Sequence, residues 1–161
     1  MTNLKVDFYL RLILIISLVA IISAYFIEYV LGHQPCNLCL IERIPYGLSI
    51  ILITLNHLFK KNEKFIILLL ILTFCFSFAI SVYHLGIEQG LFEESVVCSL
   101  KNTTEIISKE EILKQLQEKS VSCKDVTFRI FGLSLTSINI ILSLILITLL
   151  TKIYISYEKN K

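Results

Sequence analysis

Residues 65–84 read FIILLLILTFCFSFAISVYH, a run of twenty residues without Asp, Glu, Lys or Arg. About twenty apolar residues are needed for a helix to cross the ~30 Å hydrocarbon core of a bilayer. The run does not alternate between apolar and polar side chains, which a membrane-spanning β-strand would require. This segment therefore predicts a transmembrane helix and decides the class of the protein.

Three further apolar runs of similar length lie at 12–31, 40–59 and 133–155. The 161 residues are 55% hydrophobic and 17% charged, with a mean hydropathy of +0.77, whereas about a quarter of a soluble domain is charged. Too few residues remain outside the runs to form a separate domain. The fold class predicted is an all-α membrane protein, a single four-helix transmembrane bundle over residues 1–161. Its helices are expected at about 12–31, 40–59, 65–84 and 133–155.

Two loops, at about 32–39 and 85–127, are predicted at one end of this bundle. The first has no Lys or Arg, and the second has eight acidic residues against five Lys. Because Lys and Arg collect in cytoplasmic loops, we expect both loops on the outer face and both termini in the cytoplasm. The basic residues that fall on the cytoplasmic side are Lys5, Arg11, Lys60, Lys61, Lys64, Lys152, Lys159 and Lys161.

A short amphipathic helix is predicted within the long loop, at 109–119. Ser108 and Glu111 have the spacing of a capping box, and apolar residues follow at helical intervals. The helix is expected either to lie on the membrane surface or to be solvated. The sequence has no basic stripe with interleaved aromatic residues, so nucleic-acid binding is set aside.

Four of the five cysteines, Cys36, Cys39, Cys98 and Cys123, fall on the predicted outer face. Cys36 and Cys39 form a C-x-x-C motif where a loop enters a helix. Haem attachment would need His after the second Cys, where this chain has Leu. Zinc is disfavoured because the other two cysteines are 25 residues apart, and we expect no metal. A redox-active pair is favoured. Cys75, within the third helix, is expected only to pack.

The helix start is expected to stabilise a thiolate at Cys39, because helix N-termini and nearby cations favour negative charge. Arg43 follows four residues later and would lie on the same helix face. The alternative is that Arg43 pairs with Glu42 or Glu28, or reaches the lipid headgroups. Pro45 lacks an N–H and is expected to free a carbonyl near Ile41. The remaining cysteines either brace the loop permanently or exchange with the C-x-x-C motif.

Residues 35–46, PCNLCLIERIPY, resemble the start of the second helix in the DsbB family, the disulfide bond formation proteins of bacterial inner membranes. Residues 83–90, YHLGIEQG, also match and lead to Cys98. Cys123, followed by Phe128 and Gly132, completes the resemblance. It covers nearly the whole chain, although the tryptophans common in this family's outer loops are absent.

The resemblance implies a protein-thiol oxidoreductase of the bacterial inner membrane, with its redox cysteines on the periplasmic face. It would reoxidise a DsbA-like thioredoxin-fold protein and pass the electrons to a quinone, ubiquinone or menaquinone. We expect a monomer. The competing interpretations are a non-catalytic membrane protein whose disulfides only brace its loop, and an outward electron conduit. The conduit is disfavoured because the predicted cytoplasmic face has no Cys.

The resemblance also implies the site. The disulfides would be Cys36–Cys39 and Cys98–Cys123, and the partner would attack Cys98. Cys123 would then attack Cys36 and leave Cys39 against the quinone. The quinone-binding residues are expected to be Cys39, Arg43 and His84, although His84 has an alternative role as an interfacial histidine. Residues 32–35 and Phe128 are expected to wall a small apolar pocket.

Overall fold

The computed structural model describes residues 3–59, 63–93, 98, 122–124, 128–130 and 132–159. The predicted helical membrane class is confirmed, since four stretches are long and apolar enough to cross a bilayer. Both loops that join these stretches at the cysteine-bearing end, here called the cysteine end, contribute described residues. The helices are α1 (Asn3–Tyr29), α2 (Asn37–Ile41), α3 (Ile44–Phe59), α4 (Glu63–Glu88) and α5 (Leu135–Lys159).

The second predicted helix, 40–59, is two helices in the structure. It begins earlier than expected, at Asn37, and it is interrupted after Ile41 before it resumes at Ile44. Pro45 has no N–H to donate to the Ile41 carbonyl. The N–H of Arg43 bonds the carbonyl of Leu40 at 3.2 Å, a tighter turn than the α-helix. The break places the motif on its own short helix.

The last helix starts at Leu135 rather than at 133, because residues 133–134 form a strand. Arg129–Ile130 (β1) and Leu133–Ser134 (β2) make an antiparallel hairpin, and Gly132 adopts a positive φ of 84° in its turn. Strands this short have no readable periodicity in the sequence. The predicted loop helix, 109–119, lies outside the described residues.

The bundle core is apolar, with polar pairs placed between helices. α4 packs against α5, and α3 packs against both α1 and α4. Ser17 of α1 accepts a hydrogen bond from Ser49 of α3 at 2.8 Å, and Ser143 donates to Ser77 at 3.2 Å. Because lipid supplies no hydrophobic drive between helices, packing and such bonds hold the bundle together. The fully buried apolar side chains include Leu10, Ile13, Ile53, Ile67, Leu70, Phe74, Leu146 and Leu150.

Phe74 is the largest fully buried side chain, and its ring meets that of Tyr46 edge-on at 5.8 Å. We expect Phe74→Ala to lower the free energy of unfolding by about 2–4 kcal/mol, because a cavity remains in the core. Phe76→Ala on the same helix is the control, since Phe76 is exposed and should cost far less. Unfolding in mixed detergent micelles measures both variants, and equal losses would contradict the assigned packing.

Candidate functional site

The C-x-x-C motif forms the first turn of α2. Cys36 is the N-cap residue, and its Sγ accepts the backbone N–H of Cys39 at 3.3 Å. The spacing of three residues produces this contact, as it does for other capping side chains. The two sulfur atoms lie 2.8 Å apart. The geometry of this turn therefore brings the two sulfurs together, and the Cys36–Cys39 disulfide that the resemblance implies stays a prediction.

The helix start stabilises negative charge on Cys36 rather than on Cys39, which corrects the prediction. The hydrogen bond from Cys39 lowers the pKa of Cys36 to about 5 from an ordinary 9.0, and the nearby His84 contributes in the same direction. Burial of Cys36 opposes this shift but is outweighed. Nε2 of His84 lies 3.5 Å from Sγ of Cys36. The prediction failed because Cys39 donates to Cys36, chiefly through its thiol and to a smaller extent through its N–H.

We expect the reduced pair to be alkylated at Cys36 with a midpoint near pH 5, because only the thiolate reacts. Below that pH the sulfur is protonated and the rate falls; above it the rate is constant. Stopped alkylation with a small neutral reagent, followed by peptide mass spectrometry, measures the profile. Cys98→Ser/Cys123→Ser provides a background without other outer thiols. His84→Ala should move the midpoint upward, and a wild-type midpoint near pH 9 would contradict the assignment.

His84 is held by a carboxylate. It is only 2% exposed, and its Nδ1 lies 2.9 Å from Oε1 of Glu42 and 3.2 Å from Oγ1 of Thr136. The Thr136 hydroxyl donates to Glu88 at 2.5 Å. These contacts turn Nε2 towards Cys36.

Glu42 is itself buried and has both oxygens occupied. Its Oε2 accepts a hydrogen bond from Nδ2 of Asn139 at 3.1 Å, and the same amide donates to Ser81 at 2.7 Å. The hydroxyl of Tyr46 donates to Oδ1 of Asn139. The carboxylate therefore joins the motif helix to α4 and α5, and buried charge of this kind needs such partners.

The guanidinium of Arg43 is held by residues of α1. Its guanidinium forms an ion pair with Glu28 of α1 at 2.5 Å, and it lies over the Tyr25 ring at 5.1 Å from the centroid. Of the alternatives considered from the sequence, the pairing with Glu28 is the one adopted. Half-buried charges near a bilayer are costly unless paired, and Glu28 satisfies Arg43 across the helix interface.

A cavity of about 490 Å³ opens beside the motif, within the range typical of small-molecule sites. Cys39 and Arg43 both line it, and Tyr46 and Asn139 add two polar groups. His84 is not among the lining residues; its Nε2 faces Cys36 and its Nδ1 faces Glu42. Its contact with a quinone stays a prediction. The remaining wall is mostly apolar, although Glu42 and Thr136 also belong to it. Its other residues come from α1, α5 and the connecting segments: Ile15, Ile16, Val19, Ala20, Ile21, Ser23, Ala24, Ile27, His33, Gln34, Pro35, Phe128, Ile130, Leu135, Ile138 and Leu142.

Most of the residues that were predicted to wall an apolar pocket line this cavity. Positions 33–35 and Phe128 line the cavity, whereas Gly32 does not. The rings of His33 and Phe128 are in contact at 5.1 Å between centroids. The first loop and Phe128 thereby meet at the cavity wall.

Cys98 and Cys123 form a disulfide with a Cα–Cα distance of 5.9 Å. Both are buried in one apolar cluster with Cys36, Leu38 and Ile87. The two cysteine pairs therefore share one cluster at the cysteine end. Cys75 is exposed on α4, so it faces lipid and not the core in which it was expected to pack.

Several residues of the site were not predicted to act there, among them Glu42, Tyr46, Thr136 and Asn139. Glu42 entered the sequence analysis only as a partner for Arg43. Asn139 had a usable signal, because an amide within an apolar span is expensive without partners. Thr136 and Tyr46 had none, since both residue types are common at membrane interfaces.

The sequence model described as "Disulfide bond formation protein DsbB" matches residues 7–153. A protein of Rickettsia prowazekii (strain Madrid E), itself uncharacterized, is 33% identical over 156 residues. That alignment covers 94% of this chain and 90% of the relative. No solved structure matches the chain.

Proposed function

The chain belongs to the DsbB family of disulfide bond formation proteins, and we propose that it links a periplasmic DsbA-like dithiol to the membrane quinone pool. In this proposal it reoxidises the soluble partner and reduces ubiquinone or menaquinone. The observation that carries the proposal is the position of the two cysteine pairs. The Cys98–Cys123 disulfide shares a buried cluster with Cys36, and Cys39 lines the apolar cavity.

The electron transfer begins at the loop disulfide. A thiolate of the partner attacks Sγ of Cys98 and releases Cys123, which attacks Cys36 of the oxidised C-x-x-C pair and frees Cys39. The partner's second thiol then displaces Cys98 and leaves with a disulfide. The freed Cys98 then attacks Sγ of Cys123 and displaces Cys36, which restores the Cys98–Cys123 disulfide. The partner has lost two electrons, and Cys36 and Cys39 have gained them as a dithiol.

The cavity fits a quinone. Its wall is mostly apolar, as a lipid-soluble ring and tail require. Its polar side chains include those of Cys39, Glu42, Arg43, Tyr46 and Asn139. A bound quinone supplies an acceptor for two electrons and two protons. Cys39 would contact it, and Arg43 would provide positive charge beside an oxygen that becomes negative.

Cys36 completes the cycle by closing the disulfide with Cys39. Its sulfur is already 2.8 Å from that of Cys39. His84, fixed by Glu42, places Nε2 where it can take the Cys36 proton and hold it during bond formation. Glu42 orients the imidazole and balances its charge.

The proposed setting is the bacterial inner membrane, with the cysteine end in the periplasm, both termini in the cytoplasm, and the chain acting as a monomer. The basic residues support this orientation. Arg11, Lys64 and Lys152 all belong to the ends of the helices away from the C-x-x-C motif.

Anaerobic mixing tests the proposal. The purified, quinone-loaded protein is combined with a reduced thioredoxin-fold dithiol protein, and quinone absorbance and free thiols are followed together. We expect one quinone lost for each partner dithiol oxidised. Intact quinone with an unreacted Cys98–Cys123 disulfide would overturn the proposal and favour disulfides that only brace the loop.

A further inference from the structure

We propose that the reduced C-x-x-C pair and His84 form a binding site for one zinc ion. The ligand atoms are Sγ of Cys36, Sγ of Cys39 and Nε2 of His84, which all lie within 4.8 Å of one another. This ligand set differs from the four-cysteine site considered from the sequence. It takes neither Cys98 nor Cys123, which are joined to each other.

The geometry is close to what zinc requires. Tetrahedral coordination, with Zn–S near 2.3 Å and Zn–N near 2.0 Å, separates two sulfurs by roughly 3.8 Å and a sulfur from a nitrogen by roughly 3.5 Å. The distance from Cys36 to Nε2 of His84 is already 3.5 Å. The thiols, now 2.8 Å apart, would open by roughly 1 Å, which small side-chain rotations provide.

The surroundings of His84 are those of a metal ligand. Histidines that bind metals usually donate their second ring N–H to a carboxylate, which fixes the tautomer and the ring orientation. Here Nδ1 of His84 faces Glu42 at 2.9 Å, and Nε2 is left facing the cysteines. The other oxygen of Glu42 is bonded to Asn139. Glu42 therefore supports the site and does not enter it.

The charges and the fourth position also suit zinc. Two thiolates and a neutral imidazole neutralise a divalent cation, which favours the complex in a buried place. Binding releases the thiol proton of Cys39 and the proton shared by Cys36 and His84, so two protons pass to the solvent and no electron moves. Cys39 lines the cavity, so the fourth coordination position would open on that side and accept water. Thiolate and imidazole ligands select zinc over magnesium or calcium.

Occupancy would regulate the proposed relay, and this consequence rests on the proposed function. A bound ion holds both sulfurs, so Cys36 and Cys39 cannot close their disulfide until the ion leaves. Zinc would thereby trap the reduced pair, while the oxidised pair, which has no thiolates, would not bind it.

The binding test uses the full-length chain in detergent micelles, without quinone or partner, so that its result is independent of the proposed function. Cys75→Ser/Cys98→Ser/Cys123→Ser leaves only the motif thiols. The reduced variant is titrated with Cd²⁺, which reports thiolate coordination by ultraviolet charge-transfer absorption, and with Zn²⁺ against a chromophoric chelator. We expect one equivalent of either ion to bind, and none after oxidation of the pair.

Variants identify the third ligand. In the same background, Glu42→Gln should weaken zinc binding about 10–100-fold, and His84→Ala should weaken it more. His57→Ala, a histidine on α3 away from the cysteines, should leave the affinity unchanged. Glu42→Gln preserves the side-chain shape, so the test stands if His84→Ala fails to fold. If His84→Ala and Glu42→Gln both bind zinc as tightly as the parent background, the dithiol alone chelates the ion. If Cd²⁺ produces no charge-transfer absorption, the thiolates do not bind the metal. Either result overturns the proposal.

Discussion

Cys39→Ser is expected to reduce quinone-linked turnover by about 10⁴-fold or more, the scale on which the loss of a covalent nucleophile acts in other enzymes. Cys39 is the motif thiol that lines the cavity, so no other motif sulfur can replace it there. The measurement is steady-state quinone loss with a reduced thioredoxin-fold dithiol as electron donor.

A stoichiometric experiment separates the two halves of the relay. Without quinone, the oxidised wild-type protein should oxidise two partner dithiols, one for each disulfide. Cys39→Ser retains only Cys98–Cys123 and should oxidise one. Cys98→Ser should oxidise none by this route, although a small reductant should still reduce its C-x-x-C pair.

Cys75→Ser is the matched control, because Cys75 is exposed on α4 and takes no part in the relay. It should retain wild-type turnover. Turnover preserved in Cys39→Ser, or lost in Cys75→Ser, would contradict the assignment of the cysteines. A chain whose disulfides only brace its loop would show no catalytic turnover in any variant.

The spans could be predicted because lipid leaves the backbone so few choices. Within hydrocarbon every N–H and C=O must be bonded internally, so a long apolar run forms a helix. The chemistry of the C-x-x-C motif could also be read, since it depends on residues three apart. The break before Ile44 is also a local effect, because Pro45 lacks the N–H that would continue the helix.

The polar partners could not be predicted, because they depend on how each helix is rotated. The spans are apolar on nearly every side, and a pattern without a polar face does not fix rotation. His84 meets Glu42 across 42 positions and Glu42 meets Asn139 across 97. The sequence left His84 either beside the quinone or at the membrane interface, and it gave no sign of these two bonds.

The same reasoning applies to charge at the motif. The helix start and Arg43 suggested a stabilised thiolate at Cys39, but the cap geometry decides which sulfur receives the N–H. It is Cys36. Arg43 had two acidic candidates from the sequence, and only the packing of α1 against α3 selects Glu28.

Arg43→Ala is expected to slow quinone reduction about 10²-fold. In other enzymes, removing a group that stabilises developing negative charge has an effect of this size. The guanidinium lines the cavity beside Cys39. Exchange between the partner and Cys98–Cys123 should keep its rate, because that disulfide lies in the separate cluster with Cys36. Rapid mixing under anaerobic conditions resolves the two steps. Arg129→Ala, an exposed arginine of β1, is the control.

The ion pair with Glu28 needs a second variant, since Arg43→Ala also leaves that carboxylate unpaired, which destabilises a half-buried site. Arg43→Ala/Glu28→Gln removes both charges. If Arg43 acts on the quinone, the double variant should recover the unfolding midpoint but not the rate of quinone reduction. Recovery of both would mean that Arg43 serves only to neutralise Glu28. The comparison therefore separates electrostatic stabilisation of the reaction from stabilisation of the interface between α1 and α3.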